Sequence, residues 1–267
     1  MIGFIGGGNM AEALIKGITQ SVKVSKRQSE IFVSEPREER RRYLELTYGV
    51  KTTEKNKEVV SASSIIILAI KPQNMAQILD EIKDMITDEK MVVSIAAGIT
   101  LSYLQSKLKT KKLIRVMPNT PALVQEGMSV MSLCECFSDR DINTVRDIFM
   151  SIGKVLTLPE KYINAVTALS GSGPAFIALF VEAMIEGGIK LGLSRDNAYE
   201  LAVQTLLGTA RLLGTGMSPE SLREMVTSPG GTTAAGLNVF KDKGLINIVE
   251  GAMQAARKRA EELGRRE

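Results

Sequence analysis

Histidine is absent from this 267-residue chain, and every mechanism that relays a proton through an imidazole is excluded with it. Cysteine is nearly absent. Cys134 and Cys136 form a C-x-C pair in "SLCECFS", on an alternating segment that points both thiols to one side. With no third cysteine and no histidine, a metal site lacks ligands, and the pair reads as reduced thiols of a cytoplasmic protein. No stretch reads as long and apolar enough to cross a bilayer. The apolar N-terminus has no basic leader region and carries Asn9 and Glu12, which argues against a signal peptide.

What is present is ordinary globular composition: 44% hydrophobic, 24% charged, and a net charge of +4 from 34 basic and 30 acidic residues. The length allows one large or two smaller domains. The charge clusters "REERRRY" (37–43) and "RKRAEELGRRE" (257–267) hold glutamates at helical spacing, so they read as solvated helix faces rather than nucleic-acid patches. A mildly basic surface still suits an anionic small molecule.

The first half alternates two periods. "IGFIG" (2–6), "IFVS" (31–34), "SIIILAI" (64–70), "MVVSIA" (91–96) and "KLIRV" (112–116) are short, β-branched and apolar. Helical patterns over 10–18, 37–48 and 74–86 lie between them. Strands alternating with helices predict parallel βαβ units, a Rossmann-type doubly wound sheet. A later strand pair, 127–132 and 154–158, brackets a helix capped by Ser138, giving seven or eight strands in all.

After Pro159 the pattern is all-helical. A strongly apolar helix over 175–193 has Pro174 in its first turn; Ser194 and Ser218 cap the next two, over 194–213 and 218–226; two more follow near 233–243 and 245–263. The apolar breadth of the 175–193 helix predicts burial on most sides, in part by a second subunit. The expected domains are 1–160, built on the strand–helix alternation, and 161–267, all-helical.

"GFIGGGNMAEAL" carries the first chemistry. Gly6-x-Gly8-x-x-Ala11 follows a strand and opens a helix. Gly6 permits the tight turn, Gly8 lets a pyrophosphate approach the backbone, and Ala11 lets the helix pack on the strand. Asn9 and Met10 complete the candidate cofactor contacts of this turn. At the end of the second strand, in "VSEPREER", Glu35 suits a ribose 2′-OH and hence NAD, whereas Ser34, Arg37 and Arg40 suit a 2′-phosphate and hence NADP. The segment supports both readings.

Other candidates follow the remaining strands, where ligands bind in an open α/β sheet. They are Ala69, Lys71 and Pro72 in "LAIKPQN", Ala96, Ala97 and Gly98 in "SIAAGI", and Asn119 in "RVMPNTPALV". Near the end, "MVTSPGGTTAAGL" (225–237) breaks a helical region with glycine and proline, residues unfavourable in a helix interior by about 1 and 3 kcal/mol. A glycine-rich turn at a helix start offers free N–H groups and hydroxyls to an anion.

These segments, with "ALSGSGPAF", stand in the order and at the spacing of the pyrroline-5-carboxylate reductases, and the chain resembles that family from its first strand to about residue 250. The resemblance implies a Rossmann domain followed by an all-α dimerisation domain. It implies reduction of Δ1-pyrroline-5-carboxylate to L-proline by NADPH, with NADH as the alternative donor, and a cytoplasmic homodimer of the kind that often assembles into decamers. By resemblance, the amides of Gly231, Thr232 and Thr233 and the Thr233 hydroxyl hold the substrate carboxylate, with Ser228 and Gly230 in the same turn. Thr233 is the candidate beside the ring nitrogen, Asn56 lies near the cofactor ribose, and Ser170 and Ser172 are further hydroxyl candidates for the substrate.

The chain departs from the family at Met217 and Ser218, where relatives often carry Glu-His, and at Asn164, where aspartate is common. An imine that binds already protonated needs no general acid, so catalysis would rest on positioning and electrostatic fit. Two other readings are another Rossmann oxidoreductase of the β-hydroxyacid dehydrogenase type and a non-catalytic relative. The first expects a lysine early in the long helix, and none stands between Lys161 and Lys190; the second tends to lose the Gly-Gly-Thr turn kept here.

Overall fold

All four residues of 65–68 are buried, which a strand achieves only when helices cover both faces of its sheet. The computed structural model describes residues 1–21, 31–134 and 137–264. Its elements begin with β1 (Ile2–Ile5), α1 (Asn9–Gln20), β2 (Ile31–Ser34), α2 (Glu38–Tyr48), β3 (Lys51–Thr53), α3 (Asn56–Ala62) and β4 (Ile65–Leu68). Next come α4 (Met75–Ile82), β5 (Met91–Ser94), α5 (Leu101–Lys107), β6 (Leu113–Met117), β7 (Gly127–Leu133), α6 (Asp139–Met150) and β8 (Gly153–Thr157).

The eight strands form one sheet in the order β3-β2-β1-β4-β5-β6-β7-β8. All neighbours pair in parallel except β6 with β7, so the sheet is mostly parallel, as the strand–helix alternation predicts. Period-two alternation sorts the side chains. Phe4, Val33, Ile67 and Val93 pack with Leu14, Ile15 and Phe149 of α1 and α6. Ile5, Ile66, Leu68 and Val92 pack with Leu79, Ile82 and Leu104 of α4 and α5. The sheet is therefore doubly wound.

Several boundaries differ from the sequence reading. β1 stops at Ile5 and β4 at Leu68, because Gly6 and Ala69 already belong to the turns beyond. β3, α3 and α5 carry no long apolar period and are visible only in the fold. The helical pattern of 74–86 resolves into α4 flanked by 3-10 turns at Pro72–Asn74 and Lys83–Met85. Ser138 caps α6 as expected, its hydroxyl accepting from the Asp141 amide at 3.2 Å.

The chain divides into two compact units. One holds Met1–Ser172 together with the turns from Ala255 onward; the other is Gly173–Gln254. In the first, α7 (Ile163–Val166) passes into a π-helical turn, Thr167–Gly171. The second is helical: α8 (Gly173–Lys190), α9 (Arg195–Gly214), α10 (Pro219–Met225), α11 (Thr232–Asp242) and most of α12 (Leu245–Gly264). Ser194 and Ser218 cap α9 and α10 through the amides of Asn197 and Ser221. α8 stops at Lys190, short of the expected Leu193, and Gly192 turns the chain at φ 99°.

Within its own unit α8 is far from buried. Only Val181 is covered, while Ile177, Leu179, Phe180 and Met184 are exposed. The helical run Glu160–Lys190 is, by length and composition, apolar enough to cross a membrane, contrary to the sequence expectation. The expectation missed it because the "SGSG" segment reads as a break, whereas the helical turns continue through it in a π-helical turn, Thr167–Gly171. The Gln105 side chain donates to Cys134 Sγ at 3.1 Å; Cys136 lies outside the described residues, as does the end of the basic tail, 265–267.

Candidate functional site

The order of the strands fixes where a ligand can sit. From β1 the chain winds to β2 and β3 on one side, then crosses to β4 on the other, so the sheet's switch point lies between β1 and β4. Gly6 and Ala69 follow the carboxyl ends of those two strands. Gly6 has φ 96°, and a Cβ there would stand 2.5 Å from the Ala69 carbonyl oxygen, so only glycine makes this turn. Two residues on, Gly8 begins α1 with an ordinary extended backbone (φ −70°, ψ −175°) and no side-chain cap. A Cβ on Gly8 would meet nothing within 4 Å. The first amides of α1 therefore face open space, and the fit to a pyrophosphate is good. Ala11 is fully buried on the sheet, as its place in the fingerprint requires; Asn9 is exposed and Met10 half-buried.

Gly7, between the two functional glycines, is held from both sides. Its amide donates to Glu35 Oε2 at 3.0 Å, and its carbonyl accepts from Arg40 Nε at 2.6 Å. Arg40 also pairs with Glu12, whose other oxygen accepts from the hydroxyls of Tyr43 and Tyr48 at 2.8 Å each. Burial would raise the Glu12 carboxyl, but the bonds from Arg40, Tyr48 and Tyr43 and the Arg40 charge hold it below the usual range. This cluster is the main feature missed from the sequence. The Arg40 portion of "REERRRY" is not a solvated face, since its side chain is only 19% exposed. Nor is Arg40 available for a 2′-phosphate, because its guanidinium is already committed.

Glu35 is likewise turned inward, 4% exposed. Its Oε1 accepts from the Arg37 amide at 3.2 Å and from Arg37 Nε at 2.8 Å. Burial pushes this carboxyl up; the bonds from Arg37 and the Gly7 amide outweigh it and lower the pKa. With both oxygens engaged, Glu35 does not project as a ribose acceptor. Ser34 and Asn56 meet, the hydroxyl donating to Asn56 Oδ1 at 2.8 Å, while Asn56 Nδ2 donates to Glu81 at 2.9 Å. Beside them opens a cleft of about 530 Å³ lined by Pro36, Glu54, Lys55, Asn56, Lys57 and Glu81. Lys55 and Lys57 join Asn56 here because the pairing of β2 with β3, Ser34 opposite Thr53, sets the start of α3 beside the end of β2.

Farther along the strand ends, Lys71 is exposed and opens the 3-10 turn whose first residue is Pro72. Ala96 is buried and Ala97 half-buried. Gly98 has φ 82°, a backbone conformation that itself favours glycine, and a Cβ there would come within 3.2 Å of the Leu263 side chain at the end of α12. Asn119 joins two parts of the prediction. Its Nδ2 donates to the carbonyl and hydroxyl oxygens of Ser170 at 3.2 Å each, and its Oδ1 accepts from the Met128 amide at 2.8 Å. Ser170 sits in the π-helical turn, where the Ser172 amide reaches back to the Thr167 carbonyl at 2.8 Å. Such turns are frequent at functional sites; nothing in the residue pattern announces this one.

In the helical unit, the expected anion cradle is a turn at the start of α11. Gly230 lies in the left-handed region (φ 69°), and Gly231 caps the helix without a side-chain hydrogen bond. The Gly231 amide donates to the Ser228 carbonyl at 3.0 Å, which removes it from the expected set of carboxylate donors. The amides of Thr232 and Thr233, in the first turn, have no intrahelical acceptor. A Cβ on Gly231 would meet the Ser228 hydroxyl, which a serine rotamer change relieves, and the Ser228 carbonyl oxygen at 3.1 Å, so the turn is close-packed here. Ser228 and Thr232 are exposed and Thr233 is half-buried.

Comparison with known proteins bears on both units. Residues 160–263 match the family described as pyrroline-5-carboxylate reductase dimerisation, and residues 1–98 match that of NADP oxidoreductase, coenzyme F420-dependent. A pyrroline-5-carboxylate reductase of Pisum sativum is 41% identical over 98% of this chain and 95% of its own length. Among solved structures, the pyrroline-5-carboxylate reductase of Coxiella burnetii superposes with a TM-score of 0.90 at 34% identity, over 98% of this chain and 97% of that one. The Plasmodium falciparum pyrroline carboxylate reductase with NADP bound gives 0.87 at 30% identity, with the same coverage.

Proposed function

This chain belongs to the pyrroline-5-carboxylate reductase family and reduces Δ1-pyrroline-5-carboxylate to L-proline with NADPH, the last step of proline biosynthesis, and we propose how its residues divide that work. Residues 1–160 bind the dinucleotide and 161–267 bind the substrate and a second subunit. Gly6, Gly8, Asn9, Met10 and Ala11 form the pyrophosphate turn, supported by the open space before α1. Ser34, Arg37 and Asn56 hold the adenosine ribose and its phosphate. Ala69, Lys71, Pro72, Ala96, Ala97, Gly98 and Asn119 rim the nicotinamide end.

When bound, NADPH supplies the hydride. The chain's own part is to hold and orient the imine. The amides of Thr232 and Thr233 bind its carboxylate, with Ser228, Gly230 and Gly231 shaping the turn. Ser170 and Ser172 offer hydroxyls, and the Thr233 hydroxyl stands by the ring nitrogen. No histidine, and no acidic residue at positions 217–218, is there to donate a proton, so an imine that arrives protonated suits this site. The observation that carries the reading is the start of α11, where a glycine cap leaves first-turn amides without any side-chain acceptor.

The test follows NADPH oxidation and proline formation with purified protein, with and without the imine, for wild type and Thr233→Ala. A hydrogen bond to a charged group is worth about 1.5–3 kcal/mol, so kcat/KM for the imine should fall roughly tenfold or more in the variant while NADPH affinity holds. An unchanged kcat/KM removes Thr233 from the site.

The protein is a homo-oligomer. We further propose that its dimer forms through the C-terminal helices, that dimers join into a decamer, and that it works in the cytoplasm away from membranes. The apolar surface of α8 is better matched by a partner's helices than by lipid, because Glu182 and Glu186 place charges on the helix and Glu186 pairs with Arg195 at 2.8 Å.

A further inference from the structure

An acidic residue at the end of the second strand of a dinucleotide-binding sheet ordinarily accepts from a ribose 2′-OH, and so selects NAD over NADP. Glu35 occupies that position, yet its geometry is different. It is buried, and its two oxygens are taken by the chain: Oε2 by the Gly7 amide, Oε1 by the amide and Nε of Arg37. The Arg41 guanidinium fixes the same turn from outside, donating to the carbonyls of Glu35 and Pro36 at 2.8 Å each.

Arg37 is the exposed member of the pair, its side chain 68% accessible. The bond to Glu35 uses Nε, and its terminal nitrogens make no hydrogen bond among the described residues. Guanidinium carries five donors in a rigid plane, so fixing Nε also fixes the direction of the other four. Ser34 and Asn56, adjacent to this turn, are bonded to each other and oriented by Glu81.

We propose that Glu35 is a positioning residue that favours NADPH: it aims the terminal nitrogens of Arg37 at the cofactor's 2′-phosphate while gripping the pyrophosphate turn through Gly7. Its charge, compensated inside the turn, no longer opposes a phosphate there. The acidic residue that would select NADH when facing outward thus selects the phosphorylated cofactor by facing inward. The inference rests on the NADPH reading of the preceding section.

Binding distinguishes the two. Dissociation constants for NADPH and NADH are measured on the intact protein by the fluorescence of the bound nucleotide, for wild type, Glu35→Ala, Glu35→Gln, Arg37→Ala and the double alanine variant. Loss of one charge-assisted contact predicts that Glu35→Ala weakens NADPH about tenfold and NADH less than about threefold. Glu35→Gln, which keeps an oxygen for the Gly7 amide, should weaken NADPH by an intermediate factor; it also serves if the alanine variant does not fold. Adding Arg37→Ala to Glu35→Ala should cost less than Arg37→Ala costs alone, since the two side chains act as one unit.

Equal weakening of both cofactors would reduce Glu35 to a brace for the glycine turn and overturn the proposal. Selective loss of NADH would make it a ribose ligand, and tighter NADPH binding in Glu35→Gln would make it a repulsive charge. Either result overturns it too. Wild-type protein that binds NADH but not NADPH would instead overturn the cofactor reading on which the inference stands.

Discussion

Gly8→Ala should separate folding from cofactor binding. The backbone of Gly8 (φ −70°, ψ −175°) suits any residue, and a methyl there meets no atom within 4 Å. The only folding cost is that of alanine in place of glycine at a helix cap, about 1 kcal/mol, or a Tm lower by about 2–4 °C in a chain this size. The same methyl would occupy the space before the first amides of α1. A pyrophosphate displaced by one methyl loses at least one charge-assisted N–H bond, so NADPH should bind at least about tenfold more weakly. Gly6→Ala gives the contrast. At φ 96° the backbone alone costs about 1–2 kcal/mol, and the methyl would also press on the Ala69 carbonyl from 2.5 Å, which must move the end of β4. That variant should lose stability first and binding as a consequence. The chain has no tryptophan, so the fluorescence of NADPH can be titrated without an indole background, alongside thermal unfolding. Gly8→Ala that binds NADPH within about twofold of wild type, or that melts as Gly6→Ala does, would refute the reasoning.

Glu12→Gln should destabilise the fold by about 1.5–3 kcal/mol at neutral pH, because the carboxylate holds Arg40, Tyr43 and Tyr48 together. Its folded pKa lies below the unfolded value, so this contribution is full above the ordinary carboxylate range and is lost as pH falls through the folded pKa. Melting curves of the two proteins should therefore converge in acid; a constant gap would assign the effect to packing. Leu179→Glu, on the exposed face of α8, should yield a folded monomer by light scattering, and an unchanged mass would place the subunit interface elsewhere.

Local signals were legible where a single turn decides the outcome. Ser138, Ser194 and Ser218 declare their helix starts by residue type, and the fingerprint declares its strand, turn and helix. The reversal of β7 was not legible, since an apolar strand reads alike in either direction. β3 escaped notice because its residues, Lys51 to Thr53, form an edge with little apolar content. Glu35 reads from the sequence as a candidate ribose acceptor, because the partners of its oxygens are set by the fold: Gly7 lies 28 residues away in sequence. The π-helical turn depends on the backbone register of one helix, which composition does not encode. In the cradle, the glycines were legible but the loss of the Gly231 amide to Ser228 was not.

The contact of Gly98 with Leu263 and Gly264 has a consequence for how the protein is made. The loop after β5 is translated early, whereas the turn of α12 that covers it leaves the ribosome only after both units have been synthesised. The sheet unit cannot finish its packing during translation; it must wait, with the Gly98 loop uncovered, through the emergence of every helix of the second unit. Chaperone demand should therefore peak in nascent chains that already hold a complete sheet. A nonsense mutation anywhere in α12 should leave a product that proteases attack first at the loop after β5, far from the site of the truncation.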